Sequence, residues 1–474
     1  MRLAIDIQGI QSVGSRSRGI GRYSLEIIKN IILIGSDLEI ILVANASLPD
    51  LKSEFQYAID FNHVTYFQWY APCPLDYVSK DPVKLRLGSL LRSFAFANLH
   101  ADVILITSFL EGFSDNCLTD FDYELLETPV VSIFYDLIPL IHSNLYLDSN
   151  PQFSKYYKSK LNTIEKVKGL LAISNSSAKE ARKYLSIDSD DVFNISSACN
   201  SDIFNTNHLS EYQSNQEIDS YLPFLLYSGA NDPRKNLKSL LEAFSLLSIG
   251  FSEYKLVLCG KLLPQEIELI NQWTELFKIN PNLIIHTGYV SDEYLANLYR
   301  KCSLFIFPSL HEGFGLPVLE AMNCGAAVIG SNRTSIPEVI GYDKALFDPT
   351  NILELRNLIE KALHDETFRT SLLTNAKIQC TKFSWSSSAQ KAIKALKTIV
   401  NKYPLSYDRD DLNILHSNNK KNLDILITKI LEDKLLEINS NKYLINEVSA
   451  SIDLICKQTE NYLKKISPEK KIIN

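Results

Sequence analysis

The sequence predicts an α/β protein of two Rossmann-like domains facing a cleft, followed by a C-terminal helical tail. Short apolar runs, "LAIDI", "EIILVA", "VILIT" and "VVSIFY", alternate with longer helical patterns up to about residue 204. A second series, "FLLYSG", "KLVLCG", "LIIHTG", "LFIFPS" and "AAVIGS", repeats the alternation from about residue 221. Between them "NTNHLSEYQSNQEIDS" is polar and lacks apolar periodicity, as a linker does. The division that follows is 1–204 for the first domain, 205–220 for the linker, 221–384 for the second domain, 385–402 for a crossover helix and 403–474 for the tail.

Composition agrees with this division. A chain of 474 residues, 46% hydrophobic, suits two or three domains with real cores. A formal net charge of -7 gives no support for nucleic acid as a partner. The eight cysteines are scattered without a C-x-x-C pair, so neither a zinc site nor a disulfide framework is expected. "MRLAIDIQGI" reads as a strand that begins at the first residue rather than a signal peptide, and no apolar run reaches the length of a membrane span. A cytoplasmic location fits, with peripheral contact at the inner face of the cytoplasmic membrane as a further expectation.

In the first domain the opening strand runs into "QGIQSVGSRSRGIGRYS", a glycine-rich loop ahead of a helix. Gly19 and Gly21 allow close approach of backbone to a phosphate, and Arg16, Arg18 and Arg22 add positive charge. The same loop is equally consistent with a plain strand-to-helix connection. "KLRLGSLLRSFAFANL" and "SKYYKSKLNTIEKVKG" are basic amphipathic patterns whose commoner fate is packing on the sheet rather than resting on an anionic membrane.

In the second domain "YSGANDPRKNL" places Gly229, Arg234 and Lys235 between a strand and a helix. Two cations at a helix start oppose its dipole, each at a cost of about 0.3–1 kcal/mol, and a bound anion reverses that penalty. In "HTGYVSDEYLANLYRKC", Tyr289 and Val290 follow a strand where a nucleobase could sit. With the apolar run "CSLFIFPS" before it, "HEGFGLPVLEAMNCGAAVIGSN" completes a strand, glycine loop, helix, strand unit. Pro317 suits the helix start and Gly325 the position past its end, while Gly313 and Gly315 keep the loop slim. Its loop lies at the carboxyl end of a parallel strand, where ligands bind in open α/β sheets. The amides of Phe314, Gly315 and Leu316 face that crevice, and Glu312 and Glu320 bracket it. Phosphate between two carboxylates that accept from hydroxyls is the layout of a sugar nucleotide.

Together, the glycine loop, "YDLIPL", "DPRKNL", "EGFGLPVLEAM" and "SIPEV" resemble the family-4 glycosyltransferases, a group with the GT-B fold. The resemblance spans about residues 1–401. It implies that Glu312 and Glu320 are the two glutamates of an E-x7-E signature, the first holding the donor sugar and the second the ribose. It also implies that Arg234 and Lys235 neutralise the pyrophosphate, assisted by the amides of Phe314 to Leu316. Two departures matter. Many members carry His-Asp where this chain reads Tyr135-Asp136, so Asp136 keeps a cleft position while Tyr135 stands where the family contacts sugar. Many also carry arginine at the position of Ala230, for which Arg234 can substitute.

The expected function is metal-independent, retaining sugar transfer from a nucleoside diphosphate sugar to a saccharide or lipid-linked acceptor in bacterial surface-polysaccharide synthesis. Arg18, Arg22 and Tyr135 are the acceptor or sugar candidates, and Glu312, Asp136, Arg234 and Lys235 the catalytic ones. No metal-ligand spacing is present, and no cofactor is implied beyond the nucleotide sugar itself. The opening "DIQGIQ" with "SRSRGIGRYS" resembles O-antigen mannosyltransferases and makes GDP-mannose the first choice of donor. A nucleotide-sugar epimerase of the same architecture and a non-catalytic nucleotide-sugar-binding subunit are the rival readings.

In the tail, Leu423, Leu426, Ile427, Ile430 and Leu431 form one apolar stripe. Ile445, Val448, Ile452, Ile455, Thr459, Tyr462 and Ile466 form another at three-four spacing. A helical hairpin over 421–466 can bury these by self-association, by docking to a partner protein, or on its own domains.

Overall fold

The computed structural model describes residues 1–59, 63–207, 216–229, 232–248, 250, 252–405, 419–428 and 441–466. Within them the first domain is a seven-stranded sheet in the order β3-β2-β1-β4-β5-β6-β7. Its strands are β1 (Arg2–Asp6), β2 (Glu39–Asn45), β3 (Val64–Trp69), β4 (Val103–Ile106), β5 (Val130–Phe134), β6 (Gly169–Ala172) and β7 (Val192–Asn194). The second domain is a six-stranded sheet in the order β10-β9-β8-β11-β12-β13. It comprises β8 (Phe224–Ser228), β9 (Lys255–Cys259), β10 (Ile284–Gly288), β11 (Leu304–Phe307), β12 (Val328–Ser331) and β13 (Leu346–Phe347). The described pairings are parallel.

Helices on both faces bury these sheets, which is why β1, β4, β5, β6 and β8 are runs with no exposed side. Each sheet reverses its strand order once, between β1 and β4 and between β8 and β11. Those reversals open crevices beyond the strand carboxyl ends. The glycine loop follows β1, and the Arg234–Lys235 segment follows β8.

The chain then returns to the first domain. Helix Trp385–Lys402 packs along helix Gly19–Ile34. Trp385 meets Tyr23 edge-on at 5.1 Å, and Lys402 and Tyr403 both bond Asp191, at 2.8 and 2.6 Å. In the linker region, Arg300 of the second domain donates to the carbonyls of Asn205 and Ile203; part of the expected linker, 208–215, lies outside the described residues.

The tail stripe is covered by the chain itself. Val448, Ser451, Ile455, Thr459 and Tyr462 form the buried face of helix Asn441–Ile466, joined by Leu423 and Ile427. The apolar members sit in the first domain's second core, against β3 and helix Pro82–Ala97. Gln458 Oε1 accepts the main-chain N–H of Gln68 on edge strand β3 at 2.8 Å, and Tyr462 O–H donates to Glu39 at 2.7 Å. Of the three expected fates of the two stripes, the part within the described residues follows packing on the chain's own domains, where it blunts a sheet edge. Ile445 departs from the expected stripe and is exposed. Ile430, Leu431 and the side chain of Ile466 lie outside the described residues. The amphipathic pattern of 82–97 likewise packs inward, its second half buried on the sheet.

Candidate active site

The first domain's opening loop is fixed by buried polar contacts. Asp6 binds Arg92 and accepts from the main chain and side chain of Gln8, each at 3.0 Å. Gln8 also bonds Leu118 and Asn45, and Gln11 bonds Asn45 and Pro49. The polar residues of "DIQGIQ" therefore hold the scaffold and do not face the cleft. They set the path of the loop that delivers Ser17, Arg18 and Gly19 to it. A Cβ at Gly19 would meet nothing within 4 Å, so this position is open to a ligand. Gly21 differs: it lies in the first turn of helix Gly19–Ile34, and a side chain there would strike the Ser15 carbonyl at 2.4 Å, so this glycine lets the preceding loop pack against the helix.

The cleft holds about 490 Å³ between the domains. From the first domain it takes Arg18, Arg22, Tyr135 and Asp136, and from the second Arg234, Lys235, Glu312 to Leu316, and Glu320. Gly21, Gly229, Tyr289 and Val290 are not among its lining residues. Gly229, at φ +154, lies against the Tyr227 ring, whose hydroxyl a Cβ would meet at 3.2 Å. Tyr289 is 71% exposed and Val290 packs on the core, so neither points into the cleft.

Asp232 caps the single turn Pro233–Lys235 through the Arg234 amide, and Asn236 at φ +58 ends it. This turns both cations inward, where they meet Glu312. Lys235 Nζ lies 2.6 Å from Glu312 Oε1, and Arg234 Nη1 3.0 Å from Glu312 Oε2. Burial pushes the Glu312 carboxyl up, and Lys235 and Arg234 outweigh it and hold the group below its ordinary value. Burial lowers the Lys235 ammonium despite Glu312. For Arg234 burial also acts downward, and Glu312 and Asp232 prevail and raise it.

Gly315, at φ +98, turns the loop into helix Leu316–Asn323, which presents Glu320. The Tyr299 hydroxyl donates weakly to Glu320 at 3.4 Å. Burial raises Glu320 to about 7, with Arg22 acting against it and Asp292 with it. Arg22 itself reaches across to Asp292 at 2.9 Å. The two glutamates thus differ: Glu312 is an ionised anion between two cations, and Glu320 a carboxyl ready to gain or lose a proton near neutrality.

Tyr135 lines the cleft, yet its hydroxyl is occupied by Ser24 at 2.9 Å and the Thr107 carbonyl at 3.0 Å. Asp136 accepts from the Ile138 amide at 3.0 Å; burial raises its carboxyl, and Ile138 and Arg234 oppose the shift. Among the described residues no three His, Cys, Asp or Glu side chains converge so as to hold a metal ion.

Several interactions that sequence reasoning missed join the two domains. Ser174 and Ser177 donate to the Gly313 carbonyl at 2.6 and 3.0 Å. Glu338, inside "SIPEV", accepts from the Asn175 and Ser176 amides at the start of helix Asn175–Tyr184. Tyr146 donates to Asp232 at 2.6 Å. The motif marked the position of Glu338, but only the tertiary structure names its partner.

Residues 210–379 match the family model described as Glycosyl transferases group 1. The second domain is thus similar to the group 1 glycosyltransferases. Over 408 residues it is 36% identical to the serotype-specific mannosyltransferase WbdA of Escherichia coli, covering 84% of this chain and 48% of that protein. It is also 28% identical over 393 residues to the O-antigen chain mannosyltransferase B of Escherichia coli, covering 80% of this chain and 96% of the other. The chain thus spans about half the length of WbdA and nearly the whole of the second relative. Among solved structures, Anabaena HepE in complex with UDP and glucose superposes with a TM-score of 0.60 at 15% identity, over 84% of this chain and all of that one. The galactosyltransferase WaaB gives 0.56 at 14% identity over 84% of this chain and 99% of its own. The two domains have the GT-B architecture, and the cleft described above is the gap between its halves. No helix among the described residues is long and apolar enough to cross a membrane.

Proposed function

We propose that the chain is a retaining, metal-independent glycosyltransferase that transfers mannose from GDP-mannose to a saccharide or lipid-linked acceptor in bacterial surface-polysaccharide synthesis. The observation that carries this reading is the Arg234–Lys235–Glu312 cluster, buried in a cleft that also presents Glu320. A pyrophosphate brings the negative charge these cations need and draws them from Glu312, freeing its oxygens for sugar hydroxyls. Glu320 accepts from ribose hydroxyls, and the amides of Phe314 to Leu316 add to the positive end of the helix. The choice of mannose rests on similarity to two mannosyltransferases.

In the step itself the bond from the anomeric carbon to the phosphate oxygen breaks as the acceptor oxygen bonds that carbon on the same face. The acceptor hydroxyl proton passes to the departing diphosphate. Arg234 and Lys235 stabilise the charge that grows there, in a site shielded from water by the closed domains. Arg18 and Arg22 line the first-domain side of the cleft, and in this reading they contact the acceptor or sugar.

Incubating the protein with GDP-mannose, with and without a mannose-terminated acceptor, tests the proposal. Acceptor-dependent release of GDP and an α-linked product, unchanged by chelator, is the expected result. An altered nucleotide sugar formed without acceptor makes the protein an epimerase. Tight nucleotide binding without turnover on any sugar donor makes it a binding subunit.

A further inference from the structure

The loop that carries Glu312 also bridges the two domains. His311 precedes it and enters the first domain, where its Nε2 lies 2.9 Å from Glu180 Oε1 and its Nδ1 3.1 Å from His142 Nε2. The two imidazoles meet edge-on, with centroids 5.1 Å apart. On the other side of Glu312, Gly313 approaches Tyr135 and Asp136 so closely that a Cβ would lie 2.9 Å from the Tyr135 carbonyl. Glu180 in turn holds the amide of Leu137, next to Asp136. His311 returns to the donor side through its own carbonyl, which accepts from Arg234 at 3.0 Å.

The chemistry of these groups fixes the protons. An ionised Glu180 only accepts, so His311 carries its proton on Nε2 and leaves Nδ1 to accept from His142. The chain His142, His311, Glu180 therefore runs across the domain boundary in one direction.

We propose that His311 is a positioning residue that couples closure of the domains to the placement of Glu312 and Arg234, with His142 and Glu180 as its first-domain partners. The proposal rests on the glycosyl-transfer reading for its kinetic consequence but not for its structural one. When the domains part, His311 leaves both partners, and the loop between Leu310 and Gly313 is released with it. Closing restores the chain and sets Glu312 and Arg234 for the sugar and diphosphate. The link responds to acid. The His142 N–H already fills the space between the rings, so an added proton goes to the far nitrogen of His142 and charges a ring whose Nε2 lies 3.1 Å from His311. The charged groups facing the pair are Glu180, Asp136, Arg234 and Asp232. Burial, His311 and Arg234 all lower His142, so the closed form binds fewer protons than the open one and is disfavoured as pH falls below the ordinary imidazole value of about 6.5.

The test compares wild type with His311→Ala, His142→Ala and His142→Gln, the last keeping a donor toward His311. Solution X-ray scattering with and without GDP reports closure, and initial rates report transfer and donor hydrolysis. Both alanine variants are expected to stay more open with GDP and to fall roughly tenfold or more in kcat for transfer. The affinity for GDP should change less than about threefold, and the hydrolysis-to-transfer ratio should rise. His142→Gln should recover most of the rate and shift the acid limb of the pH profile downward. Wild-type closure and rates in the alanine variants overturn the proposal, as does a His142→Gln variant no better than His142→Ala. Should His311→Ala fail to fold, the His142 pair decides alone. If wild type transfers no sugar, the functional reading fails, while scattering still decides whether the histidines hold the domains together.

Discussion

Glu312 places one carboxylate oxygen 2.6 Å from Lys235 and the other 3.0 Å from Arg234, so the residue proposed to hold the sugar also occupies the cations proposed to hold the diphosphate. Each must exchange partners when a nucleotide sugar arrives. The charge that leaves Glu312 is replaced by phosphate, which keeps the buried cations compensated throughout.

Glu312→Gln should therefore abolish most transfer while GDP binding is retained or strengthened, because the competing carboxylate is gone. Without ligand the variant should be less stable by roughly 1–3 kcal/mol, since two buried cations are deprived of their counterion. Melting curves with and without GDP check this: a larger GDP-induced rise than in wild type is expected, and wild-type turnover refutes the role.

Replacing Arg234 and Lys235 together by alanine should weaken GDP binding by about 100-fold or more, since a hydrogen bond to a charged group is worth about 1.5–3 kcal/mol and the variant forms neither. Titration calorimetry reads the change. Unchanged affinity in a folded variant makes the pair structural.

Glu320 yields a prediction in pH. Its folded value of about 7 exceeds the unfolded one, so the folded state holds a proton that the unfolded state has released across that window. This contribution is fully present below the unfolded value and is lost as pH rises toward 7. Glu320→Gln should therefore stabilise the ligand-free protein at pH 8, by roughly 3 kcal/mol at most, and have little effect near pH 4.5. Equal melting shifts at both pH values contradict the assignment.

A chain ending at Lys402 should be markedly less stable, because Leu423, Ile427, Val448, Ile455 and Tyr462 leave a core they share with β3. Each buried apolar side chain contributes about 1.5–3 kcal/mol. No described residue of the tail lines the cleft, so whatever folds should still bind GDP. An unchanged melting temperature means that the tail packing contributes nothing to the fold.

The sequence by itself determined the two α/β domains, the loops that carry Arg234, Lys235, Glu312 and Glu320, and the helical periodicity of the tail. These follow from local physics: the period of apolar residues and the glycines that punctuate loops at strand ends. Only the tertiary structure decided which groups compensate one another. Glu312 pairs with Arg234 and Lys235, far earlier in the chain, because the order reversal between β8 and β11 brings their loops together. His311 finds His142 and Glu180, and Glu338 finds a helix start in the other domain, through a closure that no local pattern encodes. The tail stripe announced that it must be buried, but not where. An amphipathic helix fits any apolar face, and here the face is the one formed by edge strand β3 and helix Pro82–Ala97. Tyr289 shows the converse: its position after a strand suggested a base contact, and its side-chain direction, set by the backbone at Gly288 and beyond, turned it to solvent.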